Sequence, residues 1–153
     1  MKRLILFISV LTLVTVIWSQ ISSNKDGVYI GSDDMPYNGT WKEYYEDGQL
    51  KISIILKNGL KDSSTNTYYE NGKLHELRSY KNGKKHGLWQ VYNESGIKTA
   101  EANYFDDQKD GVWRIWDDNG TLRFEMLYKM GQKTGIWKKY DEAGALLDKM
   151  NFD

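Results

Sequence analysis

A 24-residue period in glycine and aromatic residues constrains this chain more than any other feature of its sequence. One glycine column recurs five times without exception, at Gly48, Gly72, Gly96, Gly120 and Gly144. A tryptophan column recurs at Trp41, Trp89, Trp113 and Trp137. Self-similarity at a fixed period of this length is the signature of a repeat architecture. The chain therefore contains five units, at about 38–61, 62–85, 86–109, 110–133 and 134–153.

Each unit contains two turns separated by segments of strand length. Asx-Gly pairs such as Asp47-Gly48 and Asn58-Gly59 tolerate the positive φ angles of type I′ hairpin turns, so the sequence predicts this turn type at both positions. Connections this short join only antiparallel neighbours. Five units therefore predict an all-β fold of about ten strands, in which antiparallel hairpins stack into an elongated, twisted and mostly single-layer meander sheet.

The aromatic columns supply a candidate core and a candidate binding face. Trp89 and Tyr92 have opposite parity along one strand, so either aromatic residues cover both faces or a bulge brings them together. We interpret the tryptophan column and the glycine column as structural. A mixed aromatic and basic stripe is typical of a binding face and also of a solvated sheet face. The candidate binding residues are Tyr44, Tyr68, Tyr92, Trp116, Tyr140, Arg114 and Lys138.

The first 19 residues have the layout of a secretory signal peptide. Lys2 and Arg3 precede an uncharged apolar run from Leu4 to Ile17, and polar residues follow. The alternative is an uncleaved membrane anchor, although a spanning helix needs about 20 apolar residues. Both interpretations export the rest of the chain, to the periplasm, the cell envelope or the medium, with anchoring in the inner membrane under the second interpretation.

The remaining chain divides into two parts. Residues 20–37 lie off the period and are predicted to form an N-terminal cap or linker, with a strand near Val28-Tyr29-Ile30. Residues 38–153 form the repeat domain. Its last strand, around Leu146–Phe152, would expose unpaired backbone groups, which invite self-association or addition of a partner's strand.

Composition and motifs argue against several functional classes. Lys and Arg together number 21 and Asp and Glu together number 21, which argues against electrostatic capture of nucleic acid or of an anionic membrane. Cysteine is absent, and His75 and His86 lack the spacing of metal ligands; we expect His86 to be a solvated turn residue. No phosphate-binding loop or nucleophile motif occurs. We expect no catalysis, no cofactor, no metal and no nucleic acid, and membrane contact only through the N-terminal segment.

The repeat unit also resembles a known repeat family. Its pattern is Gly-x-Trp-x-x-Tyr, then a glycine turn, then Tyr-x-Asn-Gly-Lys-x-x-Gly, with good copies at residues 86–92 and 80–87. This pattern resembles the variant MORN repeat of bacterial proteins, often grouped as the YwqK-like antitoxin family, over about residues 38–153. The resemblance implies hairpin repeats in an extended sheet and binding rather than catalysis. The antitoxin grouping implies an inhibitory protein partner, and a signal peptide suits an envelope immunity protein or scaffold better than an antitoxin against a cytoplasmic toxin.

The sequence therefore leads to one expectation and two alternatives. We expect an exported, non-catalytic repeat protein that acts as a protein-binding or scaffold module. One alternative is an antitoxin or immunity protein that neutralises a toxin. The other is a module that associates with a membrane or a glycan through an aromatic face.

Overall fold

The computed structural model describes residues 21–24 and 27–153, and this part of the chain is all-β. It contains no helix, and so none that could span a bilayer. The predicted signal or anchor at residues 1–19 lies outside the described residues. The strands are β1 (Ser22–Ser23), β2 (Tyr29–Ile30), β3 (Gly39–Tyr44), β4 (Leu50–Lys57), β5 (Leu60–Tyr68), β6 (Leu74–Lys81), β7 (Lys84–Tyr92), β8 (Lys98–Phe105), β9 (Gln108–Lys109), β10 (Gly111–Trp116), β11 (Leu122–Lys129), β12 (Gln132–Tyr140) and β13 (Leu146–Asn151).

The strands from β3 to β13 form one antiparallel meander in chain order. Each strand pairs with the next, and β8 pairs with both β9 and β10, which are two parts of one strand interrupted at Asp110. The predicted hairpin meander is thereby confirmed. Ten strand positions at about 4.8 Å give a sheet roughly 43 Å across its strands. β1 and β2 form a separate two-stranded sheet.

The two turns of each unit differ in type, which corrects the prediction of type I′ at both. At the second turn, both central residues have positive φ, as in Asn58 (50°) and Gly59 (72°), so this turn is type I′. At the first turn, only the glycine has positive φ, 87° at Gly48, and Asp47 does not. The Gly48 N–H donates to the Tyr45 carbonyl (3.0 Å), so residues 45–48 form a type I turn followed by a glycine bulge.

From the second unit onwards, the first strand of each unit bulges against the preceding strand, at the glycine that precedes the tryptophan or, in the second unit, at Ser63. Between β6 and β7, the three residues from Arg78 to Tyr80 face the five residues from Lys85 to Trp89. Gly87 lies within the longer stretch at a φ of 90°. In the second unit, Ser63 takes the equivalent place at a φ of 81°, a conformation that costs energy in any residue with a Cβ. The bulge therefore explains the glycine of the Gly-x-Trp motif.

The most buried part of the sheet lies on β4 and β5, where the N-terminal segment contacts the turn between them. Ile54 and Leu56 are almost completely buried. The N–H of Tyr29 donates to the Gly59 carbonyl (2.8 Å), and the N–H of Gly59 donates to the Tyr37 carbonyl (2.9 Å). The segment that precedes the repeats therefore docks on the first unit's second turn.

Candidate functional site

Trp89 and Tyr92 lie on opposite faces of the sheet, which answers the question that their parity left open. β7 runs from one to the other with regular pairing to β8 until the last residue. We call the face that carries Trp89 the tryptophan face and the face that carries Tyr92 the tyrosine face. The tyrosine column ends the first strand of every unit, at Tyr44, Tyr68, Tyr92, Trp116 and Tyr140.

A continuous ladder of aromatic rings crosses the tryptophan face. Neighbouring ring centroids are 4.7 to 5.5 Å apart, an ordinary separation for tilted aromatic pairs. Trp41 lies outside this stretch, on the end strand β3. The members of the ladder are Tyr80, Trp89, Tyr104, Trp113, Tyr128, Trp137 and Phe152.

Each ladder tryptophan also bonds to the preceding strand. The indole N–H groups of Trp89, Trp113 and Trp137 donate to backbone carbonyls that lie opposite the bulges. The acceptors are Ser79 (2.9 Å), Asn103 (3.0 Å) and Leu127 (2.9 Å). The bulge, its glycine and the indole bond therefore act together to hold each of these units to its predecessor, which agrees with a structural role for the tryptophan column.

A lysine covers the gap between successive rings of the ladder. Lys109 Nζ lies 4.3 Å from the Trp113 ring and 4.7 Å from the Tyr128 ring, within the range of cation–π attraction. Lys85 and Lys133 repeat this arrangement one unit before and one unit after. Burial raises the pKa of the Tyr104 phenol. The aromatic surface of this face is therefore partly shielded by its own side chains.

The tyrosine face carries a chain of ion pairs beside its aromatic residues. Arg114 Nε donates to Glu125 Oε2 (3.0 Å), and Lys138 Nζ donates to Glu125 Oε1 (2.8 Å). Arg114 Nη1 also lies 3.6 Å from a carboxylate oxygen of Glu101. The bond from Lys138 lowers the pKa of the Glu125 carboxyl, and the Arg114 guanidinium lowers it further. The two predicted cations thus share one carboxylate instead of standing as an unpaired basic stripe.

The aromatic residues of this face are tied into the same network. Tyr92 Oη donates to Gln90 Oε1 (3.0 Å), and Gln90 Nε2 donates to Glu101 Oε2 (3.0 Å). Lys98 Nζ donates to Glu101 (2.7 Å), which lowers the pKa of that carboxyl, and it lies 4.7 Å from the Trp116 ring. The tyrosine face is therefore a pre-ordered surface of half-buried aromatic and charged side chains.

Glu101 and Glu125 are the residues of this face that sequence reasoning missed. They lie 24 residues apart, as Arg114 and Lys138 do, so a second charged column was present in the period. Their pairing requires the strand register, which places Arg114 opposite both glutamates. Tyr44 is 39 % exposed at one end of the face, and Tyr140 lies beside Lys138 at the other.

The two rows of turns, which lie at opposite ends of the strands and form the two long edges of the sheet, carry opposite charge. All first turns lie at one edge, which we call the acidic edge, and all second turns lie at the other, the lysine edge. The acidic edge contains Lys73 and eight carboxylates, Glu46, Asp47, Glu70, Glu94, Asp117, Asp118, Asp141 and Glu142. The lysine edge contains three carboxylates, Asp106, Asp107 and Asp110, and eight lysines, Lys57, Lys61, Lys81, Lys84, Lys85, Lys109, Lys129 and Lys133. The balanced total charge conceals this separation and is no argument against a local anionic partner.

The described residues also include a cleft and a histidine that packs against its neighbours. A cleft of about 400 Å³ at the acidic edge is lined by Tyr45, Tyr69, Glu70, Asn71 and Glu94. His86 is not freely solvated as expected, because its ring packs on Phe105 (4.9 Å) and its Nδ1 lies 3.5 Å from Asp106 Oδ1. Within residues 21–24 and 27–153, no three His, Asp or Glu side chains gather in a group that could hold a metal ion.

Comparison with models of known protein families gives a match to a repeat family. The family model of the MORN repeat variant matches five segments of the chain, residues 37–58, 65–82, 85–106, 109–130 and 133–153. The second segment is the shortest and falls in the unit in which Ser63 and Thr65 replace the glycine and the tryptophan. A comparison with curated proteins found no match.

Proposed function

We propose, from the premise that the chain belongs to the variant MORN-repeat family, that it is an exported, non-catalytic module that binds a protein partner. Repeats of this kind are commonly protein- or membrane-binding modules. The observation that carries the proposal is the exposure of both faces of a one-layer sheet. Among the described residues, only five side chains are buried, those of Ile54, Leu56, Thr65, Tyr128 and Trp137. A sheet of this kind offers recognition surface in place of an interior.

The tyrosine face is the better of the two faces for a protein partner. On this face, lysines do not lie over every aromatic side chain of the column, in contrast to the repeated lysines over the ladder of the tryptophan face. Tyr44 is the most exposed aromatic residue of its column. Aromatic residues and arginine are enriched at protein interfaces. The ion pairs of Glu101 and Glu125 hold their neighbours in place before binding, which reduces the entropy lost on association.

Site-specific photocrosslinking in the native cell tests this proposal. We would place a photoreactive phenylalanine at Tyr44 or, as a matched control, at Phe124, which is an aromatic residue of nearly equal exposure (39 % and 37 %) on the tryptophan face. The expected result is a discrete adduct from position 44 and none from position 124. Equal adducts from both positions would contradict the assignment of the face, and no adduct from either would contradict protein binding.

Export is a separate part of the proposal, supported by the charge and hydropathy pattern of residues 1–19. Fractionation and the intact mass of the native protein test it. Loss of about nineteen residues, together with an envelope or medium location, indicates a signal peptide that is cleaved after Ser19. Full length in the membrane fraction indicates an anchor, and a cytoplasmic location would refute export.

Two other functions rest on narrower support. The lysine edge favours association with an anionic membrane or an anionic glycan, since eight lysines lie at four neighbouring turns. Co-sedimentation with anionic but not with neutral vesicles would support membrane association, and binding to neither vesicles nor cell-wall material would remove this alternative. An antitoxin or immunity role follows only from the family resemblance. It requires that deletion of the protein sensitise the cell to a neighbouring toxin or to competing kin.

A further inference from the structure

The end strand β13 lacks the neighbour that every equivalent strand of the array has. At the three internal boundaries from β6 onwards, the next strand brings a tryptophan whose indole donates to the carbonyl of Ser79, Asn103 or Leu127. Asn151 lies 24 residues after Leu127 and takes the same place in the last unit. In the described part of the chain, β13 pairs only with β12, so the Asn151 position receives no such strand.

Apolar surface accompanies this unpaired edge. All six residues of β13 are exposed, including Leu146 (46 %), Leu147 (58 %) and Met150 (45 %). The aromatic ladder of the tryptophan face also stops here, at Phe152, which has Trp137 on one side only. An exposed strand edge of this kind accepts a further antiparallel strand by backbone hydrogen bonds.

The internal register of the sheet shows which strand would fit. β10 pairs with β8 through Arg114 opposite Glu101 and Ile115 opposite Ala100. The same register between β13 and β3 of a second copy would set Lys42 opposite Lys149, and Glu43 opposite Asp148. Like charges directly opposite each other destabilise a strand pair. The two ends of the sheet therefore repel each other in the one register that would continue the repeat.

We propose that β13 accepts an antiparallel strand of a protein partner and not of a second copy of this chain. The partner strand presents a carboxylate opposite Lys149 and a cation opposite Asp148. It places a tryptophan beside Phe152, with the indole N–H directed at the Asn151 carbonyl. This inference rests on the proposed protein-binding function and identifies the chemistry of the bound segment.

Two synthetic peptides test the proposal against the full chain, kept in mild detergent. The first is residues 37–45 of this protein, and the second is the same peptide with Lys42→Glu and Glu43→Lys. We expect the exchanged peptide to bind about tenfold more tightly, because two repulsive cross-strand pairs become attractive. Trp41→Ala in the exchanged peptide should remove most of this binding.

A charge-exchanged protein supplies the reciprocal test. The variant with Asp148→Lys and Lys149→Glu should prefer the natural peptide. In sedimentation velocity it should form head-to-tail oligomers, whereas the natural chain should sediment as a monomer. Its circular dichroism should be unchanged, because both side chains are exposed. Equal affinity for the two peptides, no binding of either, or a monomeric variant would overturn the proposal. If the peptides fail while a crosslink at Tyr44 still forms, strand addition is wrong and protein binding stands; if both fail, the proposed function is wrong as well.

Discussion

Replacing Trp113 by Phe tests whether the tryptophan column fastens each unit to its predecessor. The substitution keeps an aromatic ring between Tyr104 and Tyr128, whose centroids lie 5.2 and 5.3 Å from the Trp113 ring. It removes the indole N–H, which donates to the Asn103 carbonyl at 3.0 Å. It also weakens the attraction to Lys109, whose Nζ lies 4.3 Å from the ring.

The expected loss in the free energy of unfolding follows from these contacts. The hydrogen bond contributes about 1 kcal/mol, and its loss leaves a half-buried carbonyl without this donor. The cation–π contact contributes about 0.5–1 kcal/mol at a partly exposed site, and Phe retains only part of it. Together we expect a loss of about 2 kcal/mol, with the smaller ring's lost contact area adding to it.

Trp41→Phe is the matched control, because β3 is the end strand of the large sheet and, within the described part of the chain, pairs only with β4. Trp41→Phe should lower the free energy of unfolding by less than half as much as Trp113→Phe. Urea denaturation followed by far-ultraviolet circular dichroism measures both variants without relying on tryptophan emission. Since repeat arrays do not always unfold in one step, hydrogen exchange of β10 and β11 gives a local measurement. Equal losses for the two variants would refute the fastening role of the indole bond.

Three further predictions concern the backbone and the ion pairs. Ser63→Gly should stabilise the fold by about 0.5–1 kcal/mol in urea denaturation, because it relieves a φ of 81°, whereas Ser64→Gly should destabilise it. Gly59→Ala should lower the melting temperature more than Gly48→Ala does. Both glycines have positive φ, but a Cβ at Gly59 would meet the N-terminal segment, whereas a Cβ at Gly48 would meet nothing. Equal melting temperatures would contradict this prediction. The lowered pKa of Glu125 adds stability that is present above its unfolded pKa of about 4.3 and is lost as the pH falls through the lower folded value; Glu125→Gln should flatten the dependence of the unfolding midpoint on pH in that window.

The fold could be predicted from the sequence because glycine marks every change of strand direction in the repeat domain except the turn at Asp106-Asp107. A period of two strands and two turns admits only an antiparallel meander. The turn types could not be predicted in the same way. Asp47-Gly48 and Asn58-Gly59 are chemically alike. Both glycines have positive φ, yet Asn58 also has positive φ and Asp47 does not. The difference lies in the number of residues between the strands, which alternating hydrophobicity does not determine.

The candidate site was predictable in its columns and not in its pairings. Residues of one column stay on one face, so the tyrosine column could be chosen from sequence alone. Which side chains meet across strands depends on register, and each unit contains two irregularities that alter it. Arg114 was expected to belong to a mixed aromatic and basic stripe, and it lies between the carboxylates of Glu101 and Glu125. A basic residue on a sheet face cannot be assigned to a partner until its cross-strand neighbours are known.

The separation of charge between the two edges follows from the same period that builds the sheet. Because a unit contains two turns, each turn returns to its own edge, and any bias in turn composition is multiplied across the array. Carboxylates accumulate at one edge and lysines at the other, although the chain as a whole is neutral. A charged partner therefore meets a field that orients it before contact, with the acidic edge repelling what the lysine edge attracts. Raising the ionic strength should therefore slow association with such a partner more than it speeds dissociation, which separates steering by the edges from contacts made on the faces.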